Sequence, residues 1–201
     1  MKELLFLGDS ITDCDHSFDP QNLGNGYVRI LAKELGHFTG TVKIKNMGVD
    51  GFTISALTRL WNLRCKMLAP DFITILIGIN DIAVIKSNGE VTTTALASFR
   101  QKYEVLIEQI QNDTDCPIML MEPFIFPWPA AFQTWEDDVR EMSLVISQIA
   151  EKYHLGFVPL WDRLLEAARV EGYDAITIDG VHLTAEGHRI LADAWMDGFT
   201  N

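Results

Sequence analysis

The sequence predicts an α/β fold, a three-layer sandwich in which helices cover both faces of a central, mostly parallel sheet of five strands. Short apolar runs alternate with longer amphipathic segments along the chain, which is the pattern of repeating strand and helix. The short runs are apolar on both faces, as expected of parallel strands that helices cover on each side. Because 201 residues are enough for one core and few for two, we expect a single domain over residues 1–201.

Each predicted element follows from its length and its hydrophobic period. Five apolar runs have the length of strands, and the first of them opens the chain as LLFLG. The predicted strands are Leu4–Leu7, Val42–Lys45, Phe72–Ile77, Ile118–Met121 and Phe157–Leu160. Segments with apolar residues at helical spacing lie between and after them. The predicted helices are Tyr27–Leu35, Ile54–Met67, Thr92–Gln111, Trp135–Tyr153, Arg163–Val170 and Ala185–Phe199. Residues 123–134, PFIFPWPAAFQT, are predicted to be an irregular segment.

The charge and the cysteine content of the sequence limit the classes of binding partner and the cellular location that we expect. Sixteen Lys and Arg against 28 Asp and Glu give a net charge of −12, which disfavours nucleic acid and anionic membrane surfaces as partners. No apolar stretch reaches the ~18 residues of a membrane-spanning helix, and the apolar start of the chain lacks the features of a signal peptide. Cys14, Cys65 and Cys116 have no zinc-site spacing, so we expect reduced thiols in a cytoplasmic protein. A homo-oligomer is compatible with the sequence.

The segments that follow the predicted strands carry the chemistry. In an open parallel sheet, ligands bind beyond the carboxyl ends of the strands, so these segments share one edge. GDS follows the first strand, NMGVDG the second and GIND the third. EPF follows the fourth, and DGVH comes after the fifth, ahead of the last helix. The sequence therefore predicts that a hydroxyl (Ser10), an amide (Asn80), a carboxylate (Asp179) and an imidazole (His182) meet at this edge.

These groups are the ones that acyl transfer requires. The hydroxyl of Ser10 becomes a nucleophile only when an imidazole takes its proton, and the imidazole needs a carboxylate to hold its tautomer. Asp179 lies three residues before His182, so one loop can bring its carboxylate to Nδ1 of that histidine. The oxyanion needs donors, which the backbone N–H groups of Ser10 and Gly51 and the side-chain amide of Asn80 could supply.

The four blocks GDS, NMGVDG, GIND and DGVH, in this order along the chain, resemble those of the SGNH (GDSL) hydrolases. The resemblance implies a flavodoxin-like fold and a serine esterase without a cofactor or metal. It implies Ser10 as the nucleophile, Gly51 and Asn80 as oxyanion donors, and Asp179 with His182 as the rest of the triad. The longer strings FLGDSITDC, GNGYV, NMGVDGFTI and IGINDI look like the branch of acetylxylan esterases and related carbohydrate acetylesterases. This branch implies O-acetyl esters of carbohydrates as substrates.

Other functions are compatible with parts of the pattern. Within the same fold, the alternatives are a lysophospholipase or a thioesterase that acts on longer acyl chains. A non-catalytic module that binds an anion or a sugar is a further alternative, with GDS as an anion-binding turn ahead of a helix. That alternative leaves DGVH unexplained, and the sequence has neither G-x-G-x-x-G nor a Walker loop.

Several of these residues also have a structural interpretation. Ser10 could cap a short helix, and Gly51 could serve only a turn with positive φ. Asp9 and Asp81 are expected to be structural and to tie loops through backbone N–H groups. The cluster of Asp13, Asp15, His16 and Asp19 lacks the glycine and glutamate of a calcium loop, so we expect a solvated acidic loop there. His188 is expected at the surface.

The aromatic residues of the irregular segment are predicted to bind substrate. Phe124, Phe126 and Trp128 follow the fourth strand, and prolines at 123, 127 and 129 are expected to stiffen the segment. Placed beside the nucleophile, these rings would form a closed wall that leaves room for an acetyl group and excludes longer acyl chains.

Overall fold

The computed structural model describes residues 1–90 and 92–200, and its sheet has five parallel strands in the order β2-β1-β3-β4-β5. The strands are β1 (Lys2–Gly8), β2 (Val42–Gly48), β3 (Phe72–Leu76), β4 (Ile118–Met121) and β5 (Gly156–Val158). Every neighbouring pair runs parallel. The predicted α/β fold with five strands is therefore confirmed.

Helices connect the strands and pack on one another in two groups. They are α1 (Ser10–Asp13), α2 (Tyr27–Glu34), α3 (Ile54–Leu60), α4 (Ile79–Asn88), α5 (Thr92–Asp113), α6 (Glu136–Lys152), α7 (Trp161–Glu171), α8 (Tyr173–Ile176) and α9 (Ala185–Thr200). In one group α9 contacts α2, α7 and α8, and in the other α5 contacts α3, α4 and α6. Within the two described ranges, no helix is both long and apolar enough to cross a membrane.

Side chains from β1 and β3 alternate between the two faces of the sheet. Phe6 and Thr74 are neighbours in the strand register, and Trp195 of α9 contacts both of them. The indole Nε1–H donates to Thr74 Oγ1 at 2.9 Å, and the ring lies 5.5 Å from that of Phe6 between centroids. Ile73 and Ile75 face the opposite side by alternation and are fully buried. The centre of the sheet is therefore covered on both faces.

The edge strand β2 differs from the prediction that strands are apolar on both faces. Its burial alternates, with Ile44 buried and its neighbour Lys43 exposed. Lys43 and Lys45 pair with Glu3 of β1, at 3.0 and 2.6 Å between nitrogen and oxygen. Because an edge strand has a solvated side, it tolerates charges, and these charges disfavour pairing with another sheet.

Three helical regions depart from the predicted elements. The predicted helix Ile54–Met67 is α-helical only to Leu60, and it continues as a π-helical turn at Trp61–Cys65 and a 3₁₀ turn at Lys66–Leu68. Helices α1, α4 and α8 were not predicted, because they are short or begin inside the polar blocks. The segment 123–134 is irregular at first, as predicted, but a 3₁₀ helix begins at residue 130.

The strand order sets the location of the site. The connections after β1 and β3 leave the sheet on either side of the point where the strand order reverses. In a doubly wound sheet a crevice forms at this point, because the neighbouring connections run to opposite faces. The blocks GDS and GIND therefore lie at the rim of the crevice.

Candidate active site

The turn after β1 holds the hydroxyl of Ser10 out of the core. The buried carboxylate of Asp9 caps helix α1, and its Oδ1 accepts the backbone N–H of Ile11 at 3.1 Å. A Cβ on Gly8 would overlap Thr12 Oγ1, so only glycine fits at the end of the strand. The alternative of Ser10 as the helix cap is therefore wrong, since Asp9 has that position.

Ser10, His182 and Asp179 form a continuous chain of hydrogen bonds. Ser10 Oγ lies 2.9 Å from His182 Nε2, although the two residues are 172 positions apart. His182 Nδ1 lies 2.7 Å from Asp179 Oδ2. The other oxygen of Asp179 accepts the backbone N–H groups of Val181 at 2.9 Å and His182 at 2.8 Å. The structure thus brings together the three residues that the sequence predicts as a triad.

The charge of Asp179 determines which nitrogen of His182 carries the proton. Partial burial raises the pKa of the Asp179 carboxyl, but hydrogen bonds from the side chain and backbone of His182 and from Val181 outweigh it, so the pKa lies below its usual value. An ionised carboxylate only accepts hydrogen bonds, so Nδ1 of His182 must be the protonated nitrogen. The lone pair of Nε2 then faces Ser10 and can accept the hydroxyl proton.

The loop after β2 brings a second set of polar groups to the same edge. Gly51 is exposed, with φ +71°, and its backbone N–H has no hydrogen-bond partner in residues 1–90 and 92–200. The backbone N–H of Ser10 is likewise unpaired within these residues. Asn80, in the first turn of α4, donates one hydrogen of Nδ2 to the carbonyl of Phe52 at 3.0 Å and keeps the other. Each of the three predicted oxyanion donors therefore keeps an N–H group without a partner in the described residues.

Two buried or half-buried carboxylates anchor these turns, as predicted. Asp81 Oδ2 accepts the backbone N–H of Ile54 at 3.0 Å, and this bond fixes the start of α3. Burial raises the pKa of Asp81 to about 6 and that of Asp9 to about 7. Both residues hold backbone, which confirms their expected structural role.

Asp13 ties α1 to the loop that contains Gly51. Its Oδ2 accepts the backbone N–H of Asp50 at 3.0 Å, and its Oδ1 lies 2.6 Å from His16 Nδ1. Asp19 in turn accepts the backbone N–H of Leu23. The prediction of a solvated acidic loop is therefore wrong for Asp13 and Asp19, which bind neighbouring groups. Within the described residues, no cluster of His, Cys, Asp and Glu could hold a metal ion.

His188 is buried beneath the nucleophile turn, and its predicted surface position is wrong. The backbone N–H of Tyr27 donates to its Nδ1 at 3.3 Å, and its Nε2 lies 3.3 Å from Cys14 Sγ. Burial lowers the pKa of His188 to about 4, so the ring stays neutral and joins α9 to α2. The helical spacing of His188 with Leu191 and Trp195 was the signal for an inward-facing residue.

An open cavity of about 370 Å³ lies beside Ser10 and His182. Its apolar side chains are Ile11, Ile178 and Leu183. Its other lining residues are Asp13, Cys14, Asp15, Asp50 and His188. The cavity combines aliphatic contact near the nucleophile with several carboxylates.

The prediction that aromatic residues wall this cavity is wrong. Phe124 and Phe126 lie in the core, at 1% and 0% exposure, and neither lines the cavity. Trp128 is 40% exposed, stacks on Tyr173 and does not line the cavity either. Phe126 and Trp128 pack on Tyr173 of α8, and Phe124 packs on Phe126.

The segment that contains these aromatic residues instead supports the loop that carries Asp179. The backbone N–H of Phe126 donates to the carbonyl of Gly180 at 2.9 Å, next to Asp179. Gly180 has φ +97°, and a Cβ there would overlap the carbonyl oxygen of Trp128. Close packing against residues 126–128 therefore helps to hold the Asp179 carboxylate opposite His182.

The buried carboxyl of Asp9 predicts a pH-dependent stability. Its pKa is about 7 in the folded protein and ~3.9 in an unfolded chain, so the folded state keeps the proton over a range where the unfolded state loses it. Relative to Asp9→Asn, the wild type should lose stability as the pH rises from about 4 to about 7, by a few kcal/mol. Asparagine caps helices as well as aspartate does, so the hydrogen bond to Ile11 is kept. Urea unfolding of both proteins measures this difference, and parallel curves from pH 4 to 8 would contradict it.

Comparison with known proteins agrees with this fold and site. Residues 6–190 match the profile of the GDSL-like lipase/acylhydrolase family. An acetylxylan esterase from Geobacillus stearothermophilus is 28% identical over 213 residues, which cover 97% of this chain and 92% of the relative. The crystal structure of an acetylxylan esterase from that organism has 27% identity and a TM-score of 0.83, covering 100% of this chain and 94% of its own. A protein from Parabacteroides merdae described as a GDSL-like lipase has 27% identity, a TM-score of 0.86 and coverage of 99% and 95%.

The structure is a doubly wound parallel sheet in which a serine and a histidine lie within hydrogen-bond distance of each other beyond the ends of the strands. The chain belongs to the GDSL-like lipase/acylhydrolase family. It is a carboxylic ester hydrolase, and the predicted resemblance to SGNH hydrolases with similarity to acetylxylan esterases is confirmed.

Proposed function

We propose that the chain is a serine esterase that hydrolyses short O-acyl esters of carbohydrates, in particular O-acetyl esters, through Ser10, His182 and Asp179. The observation that carries the proposal is the chain of hydrogen bonds from Ser10 Oγ through His182 to Asp179, at 2.9 and 2.7 Å. Acetylated carbohydrate as the substrate is supported by the relatives that are named acetylxylan esterases. The cytoplasmic location stays a prediction from the three cysteines, which are all free.

The geometry supports a two-step acyl transfer. Ser10 Oγ attacks the ester carbonyl carbon, and its proton passes to His182 Nε2. His182 then gives this proton to the leaving alkoxide as the carbon–oxygen bond breaks, which leaves the acyl group on Ser10. Water attacks this acyl-enzyme, His182 takes a proton from the water, and the carboxylic acid leaves as Ser10 regains its hydrogen. Asp179 stays ionised and stabilises the imidazolium in both steps.

The oxyanion of each tetrahedral intermediate is assigned to three donors. The backbone N–H groups of Ser10 and Gly51 are unpaired within the described chain, and Asn80 Nδ2 keeps one hydrogen free. Donors that are already oriented stabilise developing charge without reorganisation. The hydrogen bond from Asn80 to Phe52 holds this amide in place before substrate arrives.

A fluorophosphonate probe tests the proposal. The probe bonds covalently to a serine hydroxyl that a neighbouring base activates, so peptide mass spectrometry should find it on Ser10 of the wild type. The His182→Ala protein should stay unlabelled, since its Ser10 has no base. Absence of labelling in the wild type would instead favour a non-catalytic binding module, and equal labelling of both proteins would show that His182 is not the base.

Replacement of Asn80 by alanine should lower kcat by a factor of ~10² to 10³ with little change in KM. The amide should bond the oxyanion more strongly than the ground-state carbonyl, so its loss appears in turnover. Asn88→Ala, at the other end of α4, is the matched control, because Asn88 bonds only Glu90 at the surface. Steady-state kinetics on p-nitrophenyl acetate give both constants, and a raised KM with unchanged kcat would make Asn80 a substrate-binding residue.

The acyl preference should be for acetate, for a reason other than an aromatic wall. The exposed carboxylates of Asp15 and Asp50 line the cavity beside Ser10, and a long alkyl chain would have to displace water from them. We expect kcat/KM to fall from acetate to butyrate to octanoate esters of one alcohol. An increase with chain length would instead favour a lysophospholipase or thioesterase, with Ser10 and His182 in the same roles.

A further inference from the structure

A second cavity adjoins the cavity that contains Ser10. It has a volume of about 460 Å³. Its lining residues are Asp15, Phe18, Asp19, Pro20 and Asn25. Asp15 lines both cavities, so the two share a border. A substrate whose ester lies at Ser10 can therefore extend over Asp15 into the second cavity.

The loop of residues 14–25 that forms this cavity is held by its own hydrogen bonds. The backbone N–H of Asn25 donates to the carbonyl of Cys14 at 2.9 Å and closes the loop at its base. Arg29 spans the loop, with Nε 2.6 Å from the carbonyl of Gly24 and Nη2 2.5 Å from Asp19 Oδ2. The second cavity is therefore preformed, and a ligand need not order it.

Phe18 projects from this loop into solvent. Its side chain is 88% exposed, which is more than any other large hydrophobic residue among those that the structure describes. An ordered loop that holds a phenyl ring in water forgoes the free energy of its burial. A ligand that occupies the second cavity would contact this ring and supply that burial.

Two polar side chains beside the ring have no partner in the protein. Within residues 1–90 and 92–200, neither the carboxylate of Asp15 nor the amide of Asn25 makes a hydrogen bond. Together they offer acceptors and donors on either side of an apolar ring. A sugar ring has the matching chemistry, with a C–H face that packs on the negative face of an aromatic ring and a rim of hydroxyls. An acyl chain would leave the two polar groups desolvated and unpaired.

We propose that Phe18, Asp15 and Asn25 form a subsite for a neutral sugar residue of an oligosaccharide substrate. The acylated residue of the same oligosaccharide lies at Ser10. This inference rests on the proposed function, and it makes an oligosaccharide a better substrate than a monosaccharide ester. The sugar is neutral because the unpaired carboxylate of Asp15 lines the subsite, and a uronate would meet its like charge.

Kinetics on substrates of different length test the subsite. Phe18→Ala should lower kcat/KM for acetylated xylotetraose about three- to tenfold, the factor that one aromatic contact supplies. It should leave kcat/KM for p-nitrophenyl acetate and for acetylated xylose unchanged, because these substrates end before the second cavity. Phe38→Ala is the matched control, since Phe38 is also exposed, at 49%, and lines neither cavity. It should change none of these constants.

Other outcomes would overturn the subsite. An equal loss on all three substrates would make Phe18 a structural residue, and no loss on any of them would leave the ring without a substrate role. A loss confined to p-nitrophenyl octanoate would assign the ring to the acyl chain. A changed oligomeric mass of Phe18→Ala, with unchanged kinetics on xylotetraose esters, would assign it to a contact between copies of the chain.

A binding measurement separates failure of the subsite from failure of the proposed function. Calorimetry with unesterified xylotetraose compares Ser10→Ala with the double variant Ser10→Ala/Phe18→Ala, neither of which needs to turn over. Weaker binding to the double variant, by the same three- to tenfold, supports the subsite even if no acetylated sugar is hydrolysed. Equal binding to both variants overturns it, even if the wild type proves to be an acetylesterase.

Discussion

Replacement of Ser10 by alanine should lower kcat on p-nitrophenyl acetate by at least about 10⁴-fold, because it removes the atom that carries the acyl group in the proposed mechanism. The residual rate should be that of water attack assisted by the oxyanion donors. The fold should be unaffected, since Asp9 and not Ser10 caps α1. Melting temperatures of the wild type and the variant should therefore agree.

The control for this change is Ser147→Ala. Ser147 lies on α6, and its hydroxyl bonds only a carbonyl of its own helix. We expect full activity from this variant. A Ser10→Ala protein with a rate near that of the wild type would show that another group attacks the ester, and the assignment of the nucleophile would fail.

Asp179→Asn should lower kcat about 10³- to 10⁴-fold at neutral pH, through the tautomer of His182. One oxygen of Asp179 accepts two backbone N–H groups, and the other faces His182 Nδ1. An asparagine can keep its oxygen only toward the backbone donors, so its NH₂ must face Nδ1. The proton of the imidazole then moves to Nε2, which can no longer accept the proton of Ser10.

The charge-matched control is Asp137→Asn on α6, which removes a carboxylate at an exposed position. Its activity should equal that of the wild type. A rate for Asp179→Asn within a few fold of the wild type would mean that the carboxylate does not set the tautomer.

Much of the fold and the site could be predicted because the hydrophobic pattern of the sequence agrees with the general geometry of parallel sheets. The strands of a covered parallel sheet are short and apolar, so their ends mark one edge of the sheet. Ser10 and Asn80 each follow such an end, whereas His182 lies in the loop between α8 and α9. The Asp179–His182 contact is local, so a spacing of three residues was enough to predict it.

The errors concern side chains whose direction depends on packing over long distances. His188 was expected at the surface, but α9 packs on α2 and buries it against Tyr27. Phe124 and Phe126 follow β4 and were expected in the pocket, yet they turn into the core. The residues after a strand are confined to one edge of the sheet, but their side chains can point into the crevice or away from it, and only tertiary packing decides between these directions.

The most direct test of the central claim is detection of the acyl-enzyme. The wild type is mixed with excess p-nitrophenyl acetate, quenched in acid within the first turnovers, digested and analysed by mass spectrometry. The proposed mechanism predicts an added acetyl group on the peptide that contains Ser10, and no acetyl group on that peptide from His182→Ala. Rapid release of p-nitrophenol by the wild type, with acetate on another residue or on none, would contradict it.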